Sequence, residues 1–425
     1  MASPPEPASG TRRTTIATAR AKAEGTSASL QGKVTSPLHS TWLGAVLGIV
    51  LGVAFTLCFV TGLVDYLSQH PPGWFHLPAH PADLYRINEG VHVFTGIATI
   101  PLLLAKLWVV WPELLQWPPV HNLLHALERL SLVPLVGGSL FLLFTGVANI
   151  DYWYSPMGFT FTSAHFWTAW LVVGALVVHI GAKAATVRTE LGRKSHRPEA
   201  LDAGAASSAH PSPRSLTGTR RLDPLGGLNR RGFLGTVMGA GGLLVAVSVG
   251  ETVAPLRRLA ILAPRGVGVG PQGVPVNETA LQAGVTRSAV DPNYRLVVSG
   301  RCRRPRSFSV FDLRALPQQV SALPITCVEG WSADAVWRGV PLASFLDLVE
   351  APKGASIRVE SLEGADRLYS MSVVDAEHAR DPDTLLALEL NGETLDIDHG
   401  YPVRLIAPDR PGVLQTKWIC KVIVL

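Results

Sequence analysis

Four apolar runs dominate the first half of the chain, at 42–66, 86–111, 127–150 and 164–187. Each is close to the ~20 residues an α-helix needs to cross the hydrocarbon core of a bilayer, so the pattern predicts four membrane-spanning helices. Four such lengths in succession argue against buried helices of a soluble protein. A fifth, Gly-rich apolar run follows Arg231. Beyond residue 255 the pattern changes: YRLVVSG (294–300), YPVRLIAP (401–408) and KWICKVIVL (417–425) alternate apolar and polar positions between Gly, Pro and Asp. Alternation with period two over such short stretches predicts strands, and LASFLDLVEA predicts a short helix. The fold class expected is multidomain: an N-terminal all-α transmembrane four-helix bundle, a fifth span, then an α+β, β-rich domain.

Polar segments set the boundaries. Residues 1–41 are rich in Ala, Ser, Thr and Pro with isolated basic residues, as expected of a disordered cytoplasmic tail. The membrane domain takes 42–187, a polar Ala/Ser/Pro-rich linker 188–229, the fifth span 230–254, and the C-terminal domain 255–425. Arg12, Arg13, Arg20, Lys22 and Lys33 precede the first span, and Arg188, Arg193, Lys194 and Arg197 follow the fourth. The connections 67–85 and 151–163 contain no Lys or Arg. Positive residues stay in the cytoplasm, so both ends of the bundle are expected there and the C-terminal domain outside it, with the lipid bilayer as a partner.

Composition agrees with this picture. The chain is 47% hydrophobic and only 16% charged, against ~25% charged in ordinary soluble domains. Membrane orientation accounts for the net charge of +5, and no nucleic-acid partner is expected. Four cysteines without a C-x-x-C pair exclude a disulfide scaffold, a zinc ribbon and covalently attached c-type haem. Cys302 and Cys420 both fall outside the cytoplasm, where either a disulfide or two buried thiols would serve; Cys58 reads as packing.

The fifth run opens with Arg230-Arg231-Gly232-Phe233-Leu234, which resembles a twin-arginine export signal. An ordinary fifth span with a basic flank gives the same topology. The twin-arginine translocase carries folded proteins, which suits a domain that must receive its cofactor before export. Residues 243–256 offer no small-x-small cleavage site, which favours a retained anchor.

Two blocks of the C-terminal domain carry a closer resemblance. The segment LPITCVEGWSADAVWRGVPLASFL (323–346) resembles the molybdenum-binding signature of the sulfite oxidase family. That family includes sulfite oxidases, the molybdenum domain of plant nitrate reductases and periplasmic methionine-sulfoxide reductases. The block 384–424 repeats the family's Leu-Asn-Gly-Glu, Asp-His-Gly-x-Pro-x-Arg and Thr-Lys-Trp elements in order. The resemblance implies that Cys327 and the dithiolene of one molybdopterin hold molybdenum, soft sulfur donors suiting a metal that cycles between high oxidation states. It further implies that His399 and Arg404 approach the pterin and its phosphate, that Gln415, Thr416 and Lys417 wrap that phosphate, and that Asn277 contacts the pterin. Two departures stand out. The family's substrate-binding arginine and tyrosine have no evident counterpart, GRCRRPR (300–306) reading as a basic surface loop, and Glu363 stands where a pterin-contacting Asp is expected.

Ionisable side chains inside spans need a reason. His165 and His179 are fourteen residues apart in the fourth run, which puts them on nearly one helix face and about 21 Å apart along the axis. This resembles bacterial di-haem cytochrome b proteins, in which imidazoles from two helices hold each b-type haem. His92 is level with His165 and would complete an outer pair. For an inner haem, His39 would partner His179, with His121 and His125 as competitors. The function expected is therefore that of a membrane-bound molybdenum oxidoreductase that exchanges electrons with quinone or quinol through one or two b-type haems. Its chemistry would be oxygen-atom transfer on a small oxo-substrate, with sulfoxide reduction favoured. The alternatives are oxidation of a sulfite-like anion with electrons passing to quinone, or a non-catalytic electron carrier or anchor.

Overall fold

The computed structural model describes residues 36, 38–114, 123–153, 160–195, 229–250, 253, 255–266, 268–367 and 369–425. Most of the expected tail, the expected linker from 196 onward, and His121 lie outside these residues. Five long helices come first: α1 Thr41–Gln69, α2 Leu84–Leu114, α3 Leu123–Ile150, α4 Phe161–Ser195 and α5 Arg230–Val249. All five are long and apolar enough to cross a bilayer, with mean hydropathy of 1.7 to 2.6 over their most apolar stretches. They mark the chain as a membrane protein. Val53, Val60, Leu104, Leu130 and Val177 are exposed on them, as expected where the surrounding medium is lipid rather than water.

The chain forms two compact units, and their boundaries cut through α1 to α4. The first comprises residues up to Thr56, Ala98–Leu143 and Trp167–Gly242; the second comprises Leu57–Ile97, Phe144–Phe166 and Leu243–Leu425. In the first unit Leu43, Leu47 and Leu51 of α1 pack with Leu102, Leu103 and Val109 of α2 and with Phe233 and Val237 of α5. Trp108 adds an aromatic contact to Phe233, with ring centroids 5.6 Å apart.

The second unit contains all the strands: β1 Leu296–Gly300, β2 Arg306–Phe308, β3 Gln319–Thr326, β4 Ser332–Pro341, β5 Ile357–Ser361, β6 Met371–Val374, β7 Leu385–Leu390, β8 Glu393–Thr394, β9 Arg404–Ile406 and β10 Ile419–Val424. One sheet has the order β2-β1-β10-β5-β6 and the other β3-β4-β7-β8, with β9 also on β7. The β1–β10 pair is parallel. Burial alternates along β4 and β5, so each presents one apolar edge to a core. The larger core gathers Leu296, Phe308, Phe345, Ile357, Val359 and Val422. A second core around Trp331, Trp337, Leu385 and Ile406 lies beneath the β3–β4 turn. Fully burying side chains of this size stabilises by about 1.5–3 kcal/mol each, which makes the platform under that turn rigid.

Candidate functional site

β3 and β4 pair without a slip from Gln319↔Gly339 to Thr326↔Ser332, so residues 327–331 must form the turn. The Cys327 N–H donates to Trp331 O at 2.9 Å, and the Gly330 N–H donates to Cys327 O at 3.0 Å. Gly330 has φ +86°, a conformation that costs glycine little and other residues more. Cys327 is 2% exposed. Burial, reinforced by the negative charge of Glu329, pushes its thiol well above the ordinary range, while the Lys417 ammonium opposes the shift. A bound metal cation would reverse that balance and hold the thiolate. Glu329 is itself buried, accepts a hydrogen bond from Trp331 Nε1 at 3.0 Å, and lies 3.7 Å from Arg265.

The chain places cationic and polar groups around this thiol. Arg404, on β9, is buried; its Nη1 donates to His399 O at 3.2 Å and its guanidinium stands 5.3 Å over the Trp337 ring. Burial lowers its pKa to about 10, with the charge on Cys327 opposing. His399 donates from Nε2 to Pro271 O at 2.9 Å; burial and then Arg404 hold its imidazole down at about 4. Lys417 Nζ donates to Glu278 O at 2.7 Å and Asp398 O at 2.9 Å, and burial followed by Arg404 lowers it to about 7. Gln415 and Thr416 are buried beside it, Gln415 Nε2 donating to Arg410 O and Thr416 Oγ1 lying 2.7 Å from Ser372 Oγ. Asn277 is half-buried next to Glu278, and its side chain makes no hydrogen bond among the described residues.

Two atoms test whether a cofactor suits this set. Arg404 Nε and Gln415 Oε1 are buried without a hydrogen-bond partner among the described residues. Each such atom costs about 1–3 kcal/mol if nothing completes it. One donor and one acceptor, set among two lowered cations and a sulfur ligand, fit a polar anionic group that binds metal through sulfur. Molybdopterin is such a group.

Three further side chains gather around the thiol turn, and none was singled out by sequence. Tyr369, just before β6, is pushed up to about 12 by burial and then by the negative charge on Cys327. Tyr152, just after α3, is raised by burial and then by Glu329. Arg265, beyond α5, stands 4.9 Å over the Tyr152 ring and so joins Tyr152 to Glu329. Arg301, Arg303 and Arg304 are exposed, and Arg304 pairs with Glu350 at 2.9 Å. Cys302 and Cys420 are free thiols. Glu363 hydrogen-bonds to Ser361 at 3.3 Å.

The histidines of the helices divide in two. His92 on α2 and His165 on α4 have ring centroids 6.2 Å apart. His92 donates from Nδ1 to Cys58 O at 2.9 Å, with Thr61 Oγ1 at 3.2 Å, and His165 Nδ1 is hydrogen-bonded to Thr145 Oγ1 at 2.8 Å. Neither Nε2 is hydrogen-bonded among the described residues. A methyl group on Gly62 would lie 2.8 Å from His92 Cε1, so glycine is required there. Tethering one ring nitrogen is how metal-ligating histidines are usually oriented. Two metal–imidazole bonds of ~2 Å, with the ring half-widths, span about 6 Å, so the spacing fits one metal between the rings. In the first unit His39 packs edge-on to Trp108 at 4.5 Å, and His125 Nε2 accepts from Arg129 at 3.4 Å. His179 Nδ1 is buried without a hydrogen-bond partner among the described residues, so it lacks the tether that fixes His92 and His165. Lys106 Nζ donates to Gly44 O at 2.5 Å in the same unit.

Within the second unit the thiol turn and the histidine pair adjoin. Asn149 Nδ2 donates to Val328 O at 2.7 Å. Gly330 lies against Val93, close enough that a Cβ on the glycine would come within 3.0 Å of the valine methyl. Arg86 pairs with Asp334 at 2.6 Å, and the Tyr85 N–H donates to Asp409 Oδ1 at 2.6 Å.

Comparison with known proteins agrees with this chemistry. Residues 283–425 match the oxidoreductase molybdopterin binding domain family. The chain is 36% identical over 127 residues to YedZ1 of Azospira oryzae, named as a subunit of a protein-methionine-sulfoxide reductase, covering 30% of this chain and 47% of that protein. It is 28% identical over 165 residues to the sulfite oxidase of Arabidopsis thaliana, covering 31% and 42%. It is 29% identical over 162 residues to MsrP, the catalytic subunit of a protein-methionine-sulfoxide reductase of Burkholderia mallei, covering 35% and 48%. The chain thus spans less than half the length of each of these relatives.

Proposed function

We propose that this chain, an oxidoreductase whose residues 283–425 are a molybdopterin-binding domain, is a membrane-bound enzyme that reduces a sulfoxide-class substrate outside the cytoplasm with electrons from quinol. One observation carries the reading: the Cys327 turn and the His92–His165 pair belong to one compact unit, with Val93, the residue after His92, packed on Gly330. Two of the relatives are named for methionine-sulfoxide reduction, which supports the direction.

Cys327 would hold the metal, Arg404, His399, Gln415, Thr416 and Lys417 would hold the pterin and its phosphate, and Asn277 would border the pterin. His92 and His165 would hold a b-type haem, and the tethered Nδ1 atoms leave each Nε2 to ligate it. His179 and His39 would serve a second haem. When bound, the molybdenum cofactor supplies two-electron oxygen-atom exchange and the haem supplies one-electron relay. The chain's own contribution is positioning: Trp337 stacks under Arg404, and Arg265 orients Tyr152 beside Glu329. The phenols of Tyr369 and Tyr152, both kept protonated, would be donors available to a substrate oxygen at this site.

Bound by this reading, the basic segments around 12–33 and 188–197 stay in the cytoplasm and the β-rich domain lies outside it. Arg230 and Arg231 would engage the twin-arginine translocase, so that the domain folds around its cofactor before crossing. The reverse reaction, oxidation of a sulfite-like anion with electrons passing to quinone, is favoured by the sulfite oxidase relative and by Arg265, which pairs with Glu329 of the thiol turn.

The test is a visible spectrum of membranes carrying the full chain. Quinol-reduced protein should show a b-haem signal that a sulfoxide oxidises. Reduction of oxidised haem by sulfite, without oxidation by sulfoxide, would replace the first reading with the second. Haem redox changes that persist with both substrates in Cys327→Ser would leave only an electron carrier.

A further inference from the structure

Two carboxyl groups sit inside the helix pair that carries His92, and nothing above uses them. Asp65 on α1 and Glu89 on α2 are each 5% exposed, and Asn88, the neighbour of Glu89, hydrogen-bonds to Asp65 across the two helices. Two carboxylates buried this close together are not both ionised, because burial and mutual repulsion both favour the protonated form, so the pair holds a proton. Asn88 Nδ2 donates to Asp65 Oδ1 at 2.6 Å and to Thr61 O at 2.9 Å, which fixes the Asp65 side chain across the two helices. Asp65 Oδ2 has no donor among the described residues and is the atom left to share the proton. Buried ionisable groups in spans are costly and typically mark proton pathways.

The pair lies between the two redox sites. On one side Thr61 links Asn88 to His92, through its carbonyl and its hydroxyl respectively. On the other side stands Tyr85, one turn before Glu89 and 1% exposed, with Gln69 Nε2 donating to its hydroxyl at 3.4 Å. Glu89 is one turn before Val93, which packs on Gly330 of the Cys327 turn. The titratable groups nearest the pair are His92 and Tyr85.

We propose that Asp65 and Glu89 form a proton relay that supplies the Cys327 site from the quinol side, an inference that rests on the function proposed above. Reduction of a sulfoxide to a thioether breaks the S–O bond and releases water, using two electrons and two protons. Oxidation of a quinol to a quinone yields two electrons and two protons. In each half of the turnover the pair gives one proton toward the departing oxygen, is left with one more negative charge, and regains a proton released by the quinol. The Asp65 and Glu89 carboxyl oxygens are the atoms that hold the proton in transit.

Redox-difference infrared spectroscopy of the full-length protein in membranes tests this directly, with dithionite as reductant. The protonated-carboxyl band should change between oxidised and reduced wild type, and the change should vanish in Asp65→Asn and in Glu89→Gln at unaltered haem and molybdenum content. In the same variants, oxidation of pre-reduced protein by dimethyl sulfoxide or methionine sulfoxide should slow on the order of 100-fold with a larger solvent deuterium effect. If one variant fails to accumulate, the other carries the test, since each removes one half of the pair. An unchanged carboxyl band in the variant, or wild-type oxidation rates in it, overturns the relay. If wild type is not oxidised by any sulfoxide, the functional reading fails, and the infrared band alone still decides whether the pair exchanges a proton with redox state.

Discussion

The Cys327 site and the His92–His165 site hold their buried polar atoms in opposite ways. Around Cys327, Arg404 Nε and Gln415 Oε1 are buried and left unsatisfied. At the helix site, His92 and His165 are each tied through Nδ1, and only the far nitrogen is spare. A pocket for a large anionic cofactor keeps hydrogen-bonding capacity in reserve for many contacts to complete. A ligating imidazole needs the reverse, one firm bond that aims the other nitrogen. His179 has a spare nitrogen of the first kind in a setting of the second kind, which separates it from the other two.

The contrast can be broken by substitution, beginning with the change of largest effect. Cys327→Ser should abolish molybdenum retention and substrate turnover while leaving the b-haem spectrum intact; metal analysis beside a visible spectrum checks both at once. Loss of the haem signal as well would mean that the two sites are not independently built. Next, His92→Ala and His165→Ala should each remove one haem's share of the absorbance completely, and His179→Ala should remove less, because its imidazole is not pre-set. A larger loss in His179→Ala would invert the comparison.

The smallest effect concerns acid stability. His399 is held at about 4 by burial and by Arg404, against about 6.5 in an unfolded chain. As pH falls from ~6.5 to ~4 the unfolded state binds the proton first, so stability is present in full at neutral pH and lost through that window, by up to roughly 3 kcal/mol. Thermal melts of wild type and His399→Gln between neutral and acid pH should converge, with a flatter profile in the variant. Parallel curves would show that another buried group carries the acid sensitivity.

How much of this was legible beforehand follows from physical range. The spans could be read because apolar length is a local property, and the fold class followed from the switch to period-two alternation after residue 255. Cys327, Arg404 and Lys417 could be picked out as candidates because each lies in a continuous block of sequence. Tyr152 and Arg265 were not, since each comes from a connection far along the chain and meets Glu329 only in three dimensions. Asp65 and Glu89 carried a usable signal, a carboxylate within or beside an apolar run, of the kind that drew attention to His92. Only the packing of α1 on α2 makes them a pair.

The second unit is assembled from three separated stretches of chain, 57–97, 144–166 and 243–425, and this imposes an order in time. Chains are made from the N-terminus, so Tyr85, Arg86 and Asn149 exist long before their partners Asp409, Asp334 and Val328. The helix ends of this unit therefore lack these partners until residues 243–425 have been made. The contacts that join the thiol turn to the histidine pair are thus the late ones, made by a stretch of chain that follows all of the helices.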